Sequence, residues 1–232
     1  MLAALPLLNE GVLATHELLA KTVDAISVTL RQSQETTLVA SQIFMKVFDD
    51  FRCITLLGFS GYPIQTAGLT ASVYESGLTL CYIGGDPTLA NQWRMFSNPN
   101  SSFRPIKELI RGGLANIFDQ VTPEMIEKEY SIYRQLCMAK HGNPMFQKTQ
   151  GFIKRGGEVT LTLGPKSIES ARHVIRFSVA TAIMYTTWAC NAVGKFHIEE
   201  SHGESILFLR DRVLNVLERI SSEIKKEDAG SQ

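Results

Sequence analysis

Apolar side chains recur three and four positions apart along most of this chain, the spacing of helices that bury one face. The pattern predicts helices over about 9–32, 35–58 and 63–84, with Leu38, Ile43, Val47, Phe51 and Ile54 striping the second. Helix-opening punctuation separates the runs. Gly61-Tyr62-Pro63 precedes the third helix, Asp86-Pro87 a short one to about Phe96, and Pro105 another to about Phe118. Thr122-Pro123-Glu124 opens a helix that closes at His141-Gly-Asn-Pro144. Proline fits these starts because the first helical N–H has no partner to lose. Periodicity then lapses, and Glu158 to Leu163 alternates polar and apolar, which predicts a short strand or extended edge. Pro165 begins a long helix to about Val193. Ser201-x-x-Glu204 is a capping box for the last helix, striped by Ile206, Val213, Leu217 and Ile220, with fraying expected over 226–232. The expected fold is all-α: one bundle of six to eight helices over 1–232, with a single β-like excursion near 158–163.

Composition narrows this picture without redirecting it. A 44% hydrophobic and 20% charged chain of 232 residues belongs with ordinary soluble globular domains. The apolar N-terminus is short and lacks a basic flank, so no secretory leader is expected. The eighteen uncharged residues Phe177–Gly194 include Ser178, Thr181, Thr186, Thr187 and Asn191, which suits a central buried helix better than a membrane span. A cytoplasmic protein without a membrane partner is the expectation. Cys53, Cys81, Cys137 and Cys190 lie far apart with no CxxC or Cys/His cluster, so buried, reduced packing residues are expected, and no metal or cofactor. Gly156-Gly157 lacks the context of a phosphate loop.

Net charge is zero but unevenly spread. Residues 134–176 carry eight basic side chains against two acidic ones, while the remaining stretches are slightly acidic. Within that basic stretch, Arg134 and His141 stand seven residues apart, close to two helical turns, and so share a helix face. A guanidinium and a titratable imidazole on one surface can hold a phosphodiester and move its protons. Lys140, Lys148, Lys154 and Arg155 are candidate phosphate contacts beside them. The same pair also suits the exposed carbonyls of any helix C-terminus. Tyr130, Arg134, Cys137 and His141 form a row that is expected to face the core edge. Glu75 is the only charge from Cys53 to Gly85, so it requires a partner. That partner is expected to be Arg52 or another base, or else Arg134 or His141, which Glu75 would orient. Ala67, Gly68, Ala71, Ser72 and Gly77 would let another helix approach closely.

Arg134-(x)6-His141, near the end of a helix in an all-α bundle, resembles the Arg-x(4–6)-His signature of the HEPN superfamily. The Glu75 helix and the Tyr82-(x)3-Asp86-Pro87 turn, within Gly61–Trp93, are similar to uncharacterised bacterial HEPN-like domains, and the likeness covers about 35–145. It implies an RNA-binding protein that acts as a homodimer, a metal-independent endoribonuclease of a toxin–antitoxin or antiphage system, with an antitoxin-like protein as a further partner. Arg134 would bind the scissile phosphate and His141 would transfer protons. Gln135 stands where catalytic members usually carry Asn, Asp or His, and Ala71 where related helices often carry arginine. These departures leave open a non-catalytic helical interaction module. A third alternative is a small-ligand pocket around Glu75, lined by Tyr74, Tyr82 and Trp93.

Overall fold

Eight helices and one two-stranded ribbon make up the described part of the chain. The computed structural model describes residues 5–30, 35–98, 102–141, 152–155, 158–161, 168–196 and 200–230. The helices are α1 (Pro6–Leu30), α2 (Glu35–Phe59), α3 (Pro63–Ile83), α4 (Pro87–Met95), α5 (Ile106–Ala115), α6 (Pro123–Lys140), α7 (Ile168–Val193) and α8 (Glu200–Gly230). The expected all-α bundle is what forms. The final helix continues to Gly230, beyond the point at which fraying is expected.

Two caps sit where the sequence signals them, whereas Ser201, expected to cap the last helix, falls inside it after Glu200. Asp86 accepts from the Thr88 and Leu89 amides ahead of Pro87, and Thr122 accepts from Met125 N at 3.3 Å ahead of Pro123. Gly84 closes α3 in the left-handed conformation, φ 52°, which glycine adopts without steric penalty.

The core is built around α3 and α7, the most extensively packed pair, with α2 against both and α1 and α8 closing the far side of α7. Small residues on α3 permit the close approach of α7 and of α6. A Cβ on Gly77 would lie 2.9 Å from the Tyr185 carbonyl oxygen, and one on Gly68 would meet Lys140 Cα at 3.6 Å. Phe44, Phe51, Tyr74, Leu78 and Tyr185 fill the space between the helices. Several buried threonines satisfy their hydroxyls on their own helices, Thr15 donating to Gly11 O, Thr22 to Leu18 O and Thr187 to Ile183 O, whereas those of Thr37 and Thr186 have no partner among the described residues. Among the described residues no helix is long and apolar enough to cross a membrane.

The β excursion is larger than the lone edge expected. β2 (Glu158–Leu161) pairs antiparallel with β1 (Phe152–Arg155), Phe152 opposite Leu161 and Arg155 opposite Glu158. A lone strand would leave its ladder groups unpaired, and β1 supplies the partners. Gly156-Gly157 between them is a two-residue hairpin signal. The cysteines also divide: Cys81 and Cys190 are buried, Cys137 is half-buried and Cys53 is exposed, so burial holds for only two of the four.

Candidate functional site

The register of α6 decides what its ionisable residues can do. Leu136 and Ala139 are buried, and Ile126, Glu129, Ile132 and Tyr133 are half-buried on the same side. At about 100° per residue this face lies nearly opposite Arg134 and His141. Both project outward and are exposed, and among the described residues neither holds a side-chain partner. They do share a face, but the expected core-edge row is displaced: the inward ridge runs through Glu129, Tyr133, Leu136 and Lys140. His141 is the C-cap residue, its amide donating to the Cys137 carbonyl at 2.9 Å.

Glu75 belongs to that inward ridge, not to the Arg/His pair. It accepts from the Tyr133 hydroxyl at 2.8 Å and from Lys140 Nζ at 3.1 and 3.2 Å. Its side chain is 34% exposed and that of Lys140 37%, so the pair closes the rim of the α3–α6 junction without being deeply buried. Neither Arg52 nor Arg134 nor His141 is its partner. Arg52 lies over the Phe48 ring at 5.6 Å. Lys140, expected as a phosphate contact, is thus ion-paired with Glu75 on the inward side of α6. Lys148 lies outside the described residues. Lys154 and Arg155 fall on β1, and their side chains lie outside the described part.

The pocket expected around Glu75 does not assemble either. Tyr74 is fully buried, donating to the Glu129 carbonyl at 3.0 Å, whereas Tyr82 reaches Glu108 of α5 at 2.9 Å and Trp93 sits on α4. Tyr74 belongs instead to an aromatic ladder through the bundle. Tyr133, Tyr74, Tyr185, Trp188 and Phe118 follow one another with ring centroids 5.4, 4.2, 4.9 and 5.9 Å apart. The Tyr185 hydroxyl donates to the Glu129 carboxylate. Burial raises the Glu129 carboxyl above the ordinary carboxylate range, partly offset by that hydrogen bond. Burial likewise raises the Tyr74 and Tyr133 phenols.

Beside the outward ridge lies a cleft of about 220 Å³ between α6 and α7, lined by Gln135, Leu136, Met138, His173, Val174 and Ser178, among others. Met138 falls between Arg134 and His141 at spacings of four and three, so the three form one ridge along the cleft's outer lip. His173 stands exposed on the facing helix. The Ser178 hydroxyl, fully buried, has no hydrogen-bond partner. His173 and Ser178 carry no motif spacing relative to Arg134, and only the packing of α7 against α3 brings them there. Met138 and His173 thus line one opening, with Arg134 and His141 beside Met138 on its ridge, and Glu75 and Lys140 are absent from it. No protein-family model, curated protein or solved structure matches the chain.

Proposed function

We propose that this protein binds RNA through the phosphate backbone along the Arg134–Met138–His141 ridge, as the HEPN resemblance implies. The supporting observation is that the guanidinium and the imidazole share one exposed face and hold no partner among the described residues. A cation with no internal partner can meet a phosphate oxygen without first breaking an ion pair. Cleavage is the finer part of the proposal. The RNA 2′-oxygen attacks the adjacent phosphorus, an imidazole takes its proton, a second acid protonates the departing 5′-oxygen, and Arg134 offsets the developing charge. The second imidazole is His173 across the cleft or His141 of a second copy in a homodimer. A non-catalytic binding module is the second reading, favoured by Gln135, an amide that lines the cleft and cannot titrate.

Fluorescence anisotropy with a labelled single-stranded RNA tests binding. Affinity should fall steeply with added salt, because neutralised phosphates release counterions, and Arg134→Ala should weaken binding and reduce the salt slope. Salt-insensitive or absent binding would overturn the RNA reading. A denaturing gel with EDTA tests cleavage. Fragments ending in 2′,3′-cyclic phosphate that disappear in His141→Ala support catalysis, and binding without fragments leaves the module. Loss of cleavage in His173→Ala assigns it the second proton transfer, and unchanged cleavage moves that role to a second copy. Light scattering should then report twice the 25.8 kDa chain mass.

A further inference from the structure

Farther along α7 lies a larger opening, a trough of about 660 Å³ that shares Phe177 with the cleft and has the size of cavities that hold drug-sized ligands. Its floor is α7: Phe177, Ala180, Met184, Trp188 and Asn191 recur at helical spacing and remain half-buried. One wall is α8, with Arg210, Leu214, Leu217 and Ile224 at the same spacing, and Ile117 and Phe118 after α5 form the other. α7 and α8 run antiparallel. Fourteen residues separate Phe177 from Asn191, and fourteen separate Arg210 from Ile224, so the trough extends about 21 Å along both helices. That length suits an extended hydrocarbon chain.

Polar groups mark its ends. At one, Arg210 Nη1 donates to Asn191 Oδ1 at 3.1 Å, while its Nε and Nη2 reach Asp211. At the other, beyond the lining, Arg176 donates to Glu223 at 3.1 Å. Between the ends the walls are apolar, and the hydroxyl of Thr187 is committed to the Ile183 carbonyl. Glu218 sits on the rim two turns along from Arg210 and disfavours an anion there. The guanidinium has five N–H donors, of which these bonds use three, so Arg210 retains donors for a ligand. The aromatic panel is held in advance: Phe118 stands edge-on to Trp188, which packs on Tyr185, itself fixed by Glu129.

We infer that this trough binds a long-chain acyl anion, its hydrocarbon along α7 and α8 and its carboxylate at Arg210 and Asn191. The inference is independent of the RNA reading. The test is titration of the full chain carrying Trp93→Phe, so that Trp188 alone reports, with fatty acids from octanoate to palmitate below their micellar concentrations. Emission should change saturably, and affinity should rise roughly fourfold per added methylene until the trough is full. Arg210→Gln should weaken palmitate about tenfold and leave hexadecanol unchanged. Ala180→Phe, which fills the floor, should weaken both. No saturable change with any chain length, or binding indifferent to Ala180→Phe, would overturn the assignment. So would a doubled mass in light scattering that Ala180→Phe abolishes, since the trough would then be an interface between two copies.

Discussion

The crossing of α3 over α7 makes a sharp energetic prediction at Gly77. An alanine methyl there would sit 2.9 Å from the Tyr185 carbonyl oxygen and 3.5 Å from its Cβ, so the obstacle is backbone and cannot swing aside. Ordinary contact requires the helices to part by about half an ångström, and Tyr74, Leu78 and Tyr185 on either side are fully buried. Overpacking of this kind costs about 1–3 kcal/mol. The intrinsic preference of a helix for alanine over glycine returns up to about 1 kcal/mol. The net loss of up to about 2 kcal/mol corresponds, for a domain of this length, to a melting midpoint lower by up to about 8 °C. Gly203→Ala is the matched control. It lies within α8 with nothing inside 4 Å of its added Cβ, so only the propensity gain applies, and the midpoint should rise by about 2–4 °C. Thermal melts followed by far-UV circular dichroism measure both. A Gly77→Ala midpoint raised as far as that of Gly203→Ala would refute the close crossing and, with it, the placement of Tyr185.

Three other measurements bear on the same structure. Because burial raises the Glu129 carboxyl, the folded state holds that proton more tightly than the unfolded one. Stability should therefore fall as pH rises from the ordinary carboxylate value through the raised one, and Glu129→Gln should flatten that segment of the pH–stability curve; an unchanged slope would count against it. Thiol titration should find Cys53 fast and Cys137 slow. Cys81 and Cys190, buried with thiols pushed up to about 12, should react only on denaturation, and four fast thiols would contradict the packing. Glu75→Gln should lower the midpoint by only about 2–4 °C, because the Lys140 pair is a third exposed and solvent screens it; a drop above 10 °C would mean a deeper pair.

Helix positions were legible because each start carries its own chemistry: Asp86-Pro87 and Thr122-Pro123 are read directly as cap and first turn. The direction in which α6 faces was less legible. Arg134 and His141 do share a face, but two turns of separation cannot say whether that face points inward. Leu136 and Ala139 decide it, and they look no more apolar than their neighbours Cys137 and Met138. Glu75 announced its need for a partner, yet nothing local to it names Lys140, sixty-five residues away. The uncharged stretch of α7 promised a central helix and hid its open flank, since Met184 and Trp188 are apolar whether a neighbour covers them or not. The trough, like His173 beside the α6 ridge, follows from which helices pack on α7, a long-range outcome that periodicity does not encode.

The aromatic ladder has an optical consequence. Tyr133, Tyr74 and Tyr185 stand in sequence, each within contact distance of the next, and lead to Trp188. Light absorbed by these phenols passes by resonance transfer to the indole before it can be emitted. The folded chain should then show little emission from these three tyrosines and an indole excitation spectrum with a tyrosine shoulder. Unfolding separates the rings, and phenol emission should reappear as the bundle opens, so the protein carries its own probe of whether α3, α6 and α7 remain together.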